Sequence, residues 1–167
     1  MFSVRMLLAL TPMLAVVIPP CVPDEIIDDI RDPNVVRRGT GSIEAEGCGT
    51  ATVIGQGEVF IELQEDPEGR AHLVIYDAAN KDVTLNGEGR KYWRGNHLYV
   101  DGLVGTATIV GEGLVVGVTG HPLYLYAEGS GRVSLAGVGT YSVNGGEEQP
   151  WPTEVEEIAY EADAAEE

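Results

Sequence analysis

Lysine is almost missing from this chain. Lys81 and Lys91 are the only two among 167 residues. Ten basic residues stand against 27 acidic ones, for a formal net charge of -17. That balance excludes nucleic acid as a partner, because phosphate backbones are held by clustered Lys and Arg. The same repulsion excludes an anionic membrane surface, leaving an N-terminal lipid as the one membrane contact. Cysteine is scarce too, with Cys21 and Cys48 alone. Two cysteines cannot build a closed metal site by themselves, although in an oxidising compartment they can pair. Long apolar runs are absent. The stretch from Met6 to Ile18 is broken by Thr11 and Pro12, and falls short of the roughly 20 residues a membrane-spanning helix needs.

Glycine and proline avoid each other. All 22 glycines lie in residues 39–146, which hold only two of the nine prolines, Pro67 and Pro122. This shift divides the chain. Residues 1–20, with Arg5 ahead of the apolar stretch, read as a secretory signal peptide. Residues 21–38 form an acidic leader, and Cys21 after Ile18-Pro19-Pro20 is a candidate lipidation site. Residues 39–146 are the body. Residues 147–167 carry nine acids and no base, a composition that predicts a disordered tail. The expected location is therefore outside the cytoplasm: periplasm, cell surface or extracellular space.

Within the body, side-chain character alternates with period two, the mark of strands with one buried face. Odd positions read Ile43, Ala45, Gly47, Gly49, Ala51, Val53, Gly55, Gly57, Val59, Ile61, Leu63 in one stretch. They read Leu123, Leu125, Ala127, Gly129, Gly131, Val133, Leu135, Gly137, Gly139, Tyr141, Val143 in another. Such runs are about twice the usual limit for a straight strand, so the strands must bend, and glycine on the inner face permits it. A Gly-x-Gly element recurs at 55–57, 87–89, 111–113 and 137–139. These spacings predict a single repetitive all-β domain of about four glycine-rich repeats, β-solenoid-like, with an antiparallel β-sandwich or barrel as the alternative. Three runs, 73–76, 98–100 and 123–126, are apolar at odd and even positions alike, which predicts strands covered on both faces.

Few residues offer chemistry. His72, His97 and His121 each precede one of those doubly apolar runs. If the fold gathers them, three imidazoles make a zinc site. The acids of "DEIIDDIRD" (24–32) offer calcium ligands without the spacing of an EF-hand loop. No other cofactor is implied. "GRKYWRGN" (89–96) is the one basic and aromatic cluster. Tyr92 and Trp93 there can stack on a sugar ring, and Arg90 and Arg94 can hold anionic groups. Trp93 falls on an inward parity, so its first expectation is core packing. Asp77 and Asp101 stand at strand ends, where paired carboxylates can act on glycosides. No Gly-x-Ser-x-Gly elbow occurs, and strands rather than helices follow the Gly-x-Gly elements, so neither a nucleophile elbow nor a dinucleotide loop is present. The sequence therefore predicts a non-enzymatic, exported structural or adhesive protein. Self-association and an envelope component or glycan are its expected contacts, and a carbohydrate- or divalent-cation-binding module is the alternative.

Overall fold

The computed structural model describes residues 41–66 and 69–160. The expected signal peptide, the leader with Cys21 and the acids of 24–32 lie outside the described residues. What is described is all-β: a single antiparallel sheet of six strands, not closed on itself. The strands are β1 (Gly41–Leu63), β2 (His72–Ile75), β3 (Asp82–Arg94), β4 (His97–Val143), β5 (Gln149–Pro150) and β6 (Glu156–Ala159). A 3-10 turn at Ala78–Asn80 links β2 to β3.

β4 is 47 residues long and β1 is 23, and both are sharply bent. Along one side of β1 the end of β4 runs antiparallel without a slip, from Ile43 opposite Val143 to Leu63 opposite Leu123. Along its other side β1 meets three separate parts of β4. Residues 41–47 face 123–129, 49–55 face 114–120, and 57–63 face 105–111. β2 lies between two further parts of β4, with His72 opposite Asp101 and Thr119, and Ile75 opposite Leu98 and Val116. β3 pairs with 97–110, β5 with Thr140 and Tyr141, and β6 with 132–135.

Traced through these partners, the straight segments fall into two rows. One runs 156–159, 131–137, 49–55, 114–120, 72–75, 97–101, 90–94. The other runs 149–150, 139–143, 41–47, 123–129, 57–63, 105–111, 82–88. Every long strand passes from one row to the other where glycines stand. At those corners Gly47 faces Gly139, Gly49 faces Gly137, Gly55 faces Gly131 and Gly57 faces Gly129. The Gly-x-Gly elements are thus corners, and each meets a glycine corner on another segment. Two of the recurring elements do lie side by side, with Gly57 opposite Gly111, but Gly87 faces Gly105 and Gly137 faces Gly49, so the registers do not show the single stack of the expected four-repeat solenoid.

Gly57 shows why glycine is required. Its φ is +125°, and a Cβ there would lie 2.1 Å from the Glu128 carbonyl oxygen and 2.9 Å from the Gly129 Cα. The two backbones touch, so neither residue can carry a side chain.

Both rows send one face into a single core, at odd positions in most segments and at even positions in 97–101 and 114–120. Ile43, Val59, Ile61, Leu123 and Leu125 from one row join Val53, Leu73, Val116, Val133 and Leu135 from the other, all fully buried. Each such side chain contributes about 1.5–3 kcal/mol relative to exposure. Of the doubly apolar runs, only Leu73, Val74 and Ile75 are buried on both faces. Tyr99, Tyr124 and Tyr126 point outward and are half-buried.

The acidic tail is ordered further than its composition predicts. Trp151 is 4% exposed and its ring N–H donates to the Thr140 carbonyl at 2.9 Å. Tyr160 is fully buried; its N–H donates to Gly131 O, and its hydroxyl lies over Gly55 and Gly131, where a Cβ would meet it at 2.9 and 2.7 Å. Two aromatic side chains thus repay the ordering of a charged segment that has little other apolar content. Residues 161–167 lie outside the described residues.

Two outcomes test this packing. Gly57→Ala is expected to lower the unfolding free energy in urea by about 3 kcal/mol, and Gly113→Ala by only about 1 kcal/mol. Gly113 has φ +59° and nothing within 4 Å of its Cβ position. Burial pushes the Tyr160 phenol up to about 12 from 10.0. A proton held more tightly in the folded state stabilises it fully below pH 10, and that stability is lost as pH rises through 12. Compared with wild type, Tyr160→Phe should flatten the fall of unfolding free energy across this window, by about 2–3 kcal/mol.

Candidate binding edge

The basic and aromatic cluster sits at one end of the sheet, where β3 is the last strand of both rows. Even-numbered residues of β3 face away from the core. Tyr92 stacks on Tyr99 of the neighbouring segment, with ring centroids 5.3 Å apart and planes 11° from parallel. The Arg94 guanidinium lies 5.4 Å from the Tyr92 ring and 5.3 Å from that of Tyr99, and Arg90 lies 5.5 Å from Tyr92. At exposed sites such cation–π contacts contribute about 0.5–1 kcal/mol each. Their larger effect here is to hold two charges in place on half-buried rings.

Asp101 closes the cluster on one side. Its Oδ1 lies 2.7 Å from His72 Nδ1 and accepts a longer contact, 3.4 Å, from the Tyr92 hydroxyl. The result is an outward patch of two arginines, two stacked tyrosines and a His–Asp pair. It lies on an otherwise acidic protein and suits a flat or anionic ligand group.

Trp93 corrects one expectation. It pairs with Leu98 and so faces the core side as its parity predicts, yet it is 56% exposed. No described strand lies beyond β3, so the core ends beneath it. The order of strands across a sheet decided the burial of this residue, and parity alone does not carry that order.

The three histidines do not converge. His72 and His97 stand at opposite ends of the β2 ladder. His97 is four residues along the strand from Asp101, the partner of His72, which is about 13 Å. His97 Nδ1 accepts the Asp77 backbone N–H at 3.0 Å, and its ring packs on Tyr76 at 4.8 Å. His121 precedes a cis Pro122 where β4 changes rows. Among the described residues no three His, Cys, Asp or Glu side chains gather to hold a metal. Asp77 and Asp101 are likewise at the two ends of β2, one beside each histidine. Cys48 is disulfide-bonded and 9% exposed; the chain's other cysteine, Cys21, lies outside the described residues.

A second outward aromatic surface was not anticipated. Phe60 packs edge-on against Tyr124 at 6.1 Å. Tyr124 stands between Glu46 and Glu62 on its two neighbouring segments, and Tyr126 stands between Glu44 and Phe60. The Tyr124 hydroxyl donates to Glu44 at 2.9 Å, and that of Tyr126 to Glu128 at 3.0 Å. Desolvation, followed by the Glu44 contact, raises the Tyr124 phenol above 10.0. A cleft of about 180 Å³ opens there between Glu46, Glu62, Gln64, Pro122 and Tyr124. The even positions of "LYLY" carried this signal once the odd ones were assigned to the core.

No family model, curated protein or solved structure matches this chain.

Two optical and thermal readouts check the site. Acrylamide should quench Trp93 readily, and Trp93→Phe should remove the quenchable fraction while the buried Trp151 emission persists. With zinc or calcium added, the variant lacking His72, His97 and His121 should show the same melting shift as wild type. A shift in wild type that the variant loses would restore the three-histidine site.

Proposed function

We propose that this is a non-enzymatic exported protein with a structural or adhesive role in the cell envelope or extracellular space. It works by displaying a rigid β surface and by associating with itself. The observation that carries this reading is the asymmetry of the two ends of the sheet. At one end β5 and β6 lie along residues 132–141, and Trp151 and Tyr160 pack beneath. At the other, β3 pairs with β4 alone among the described strands, leaving 13 residues with one side open. An open strand edge is a template for another strand. The two rows around one core favour the sandwich alternative over the solenoid as the finer description of the fold.

Tyr92, Tyr99, Arg90 and Arg94 support a second reading, a module for carbohydrate with acidic groups. Two charges fixed on aromatic rings present both stacking and anion-binding chemistry in one patch. Glu46 and Glu62 beside Tyr124 are the corresponding place for a cationic group.

Light scattering behind size exclusion, at several concentrations and with or without divalent metal, tests the first reading. A species that grows with concentration is expected. A monomer under every condition would remove self-association and leave the binding module. For that second reading, an acidic oligosaccharide should change Tyr and Trp93 emission, and Arg90→Ala with Arg94→Ala should abolish the change.

A further inference from the structure

We propose that β3 is a self-complementary edge. Two copies pair β3 with β3, antiparallel, in the register that sets Glu88 opposite the partner's Arg90 and Leu85 opposite the partner's Trp93. This deepens the self-association reading and rests on it.

Three observations lead there. The first is the open side of β3, a row of backbone donors and acceptors facing outward along 13 residues. The second is apolar. Trp93 is 56% exposed on the core side, and Val83 and Leu85 on the same side are only partly buried, although their partners Ile109 and Ala107 are fully buried. The core reaches β3 and stops unfinished there, so a strand laid alongside would continue it. The third is charge. Asp82 and Glu88 occupy the first part of β3, while Arg90, Lys91 and Arg94 occupy the second. Antiparallel pairing of two such strands lays acid against base.

The register follows from the charges. A shift of two residues in one direction puts Glu88 on the partner's Glu88. The same shift in the other direction puts Arg90 on the partner's Arg90. Between them, Gly89 meets the partner's Gly89 on the two-fold axis. Glu88 and Arg90 then form two cross-strand pairs, Leu85 covers the partner's Trp93 twice, and no like charges stand opposite. Cross-strand pairs of these kinds are the favourable ones, and like charges directly opposite are unfavourable. Because the contact is isologous, it uses up β3 in each copy, and association through β3 stops at a dimer. The outward Tyr92, Tyr99 and Arg94 of both copies then lie on one continuous sheet, which doubles the displayed patch.

The test is a charge swap read by light scattering and Trp93 emission across a dilution series. Wild type should be a monomer–dimer equilibrium, with Trp93 emission moving to the blue in the dimer. Arg90→Glu and Glu88→Arg should each weaken the dimer by about tenfold or more. The double variant E88R/R90E should return it close to wild type, and circular dichroism confirms that each variant folds. A wild type that stays monomeric at every concentration overturns both this proposal and self-association. A dimer that ignores the single changes, or a double variant that fails to recover, overturns the register and leaves self-association standing. Species that grow beyond a dimer overturn the closed two-fold contact. Trp93 emission that moves only on adding oligosaccharide, and never with concentration, overturns the proposal in favour of a glycan.

Discussion

The fold depends on backbones that touch. Where Gly49 meets Gly137 and Gly57 meets Gly129, a single Cβ on either strand would lie 2.1–2.2 Å from a carbonyl oxygen of the other. Because both partners lack one, two paired strands can turn a corner together and keep their ladder. Unbroken pairing of β1 with 123–143 around two such corners places the middle segment of the ladder in one row and its two outer segments in the other. The core between the rows follows from that turn. Parity holds through it, so the same alternation that buries Ile43 also buries Val53 and Ile61. A strand with ordinary residues at these points would run straight and leave its apolar face to water.

The corners also determine where the molecule is finished and where it is not. The tail returns to the sheet as β5 and β6, anchored by Trp151 and Tyr160, and Tyr160 fills the space above the Gly55–Gly131 corner. Among the described residues no strand covers the far side of β3. Its own corner residue Gly87 is used against Gly105 of β4, so the far side of β3 offers only backbone, charge and the edge of the core. Adhesion and self-pairing are what such an edge can do chemically, and the stacked Tyr92–Tyr99 pair with its two arginines lies on the face beside it.

Much of this was legible in the sequence, and the rest was hidden for definite reasons. Period-two alternation gave the all-β class, the inward parity of residues such as Leu135 and Val133, and the bends at glycine. It gave no partners: the spacing between 55–57 and 87–89 looks like a repeat length, yet 55–57 faces 129–131 because pairing is decided by the whole ladder. Tyr124 and Tyr126 looked core-like from hydrophobicity, whereas their even positions put them outside. The exposure of Trp93 required knowing that β3 is the last strand. The histidines shared a local context, but strand direction carried His72 and His97 to opposite ends of β2. In the tail, charge outweighed two aromatic side chains in the composition, while in the fold those two side chains decided the outcome.

Proton–proton contacts across the corners test the central claim most directly. In a nuclear Overhauser spectrum of the labelled protein, the account predicts strong Hα–Hα contacts between Gly49 and Gly137 and between Gly57 and Gly129. Hα contacts instead between 55–57 and 87–89, the corners of successive repeats, would mean stacked coils and would contradict it.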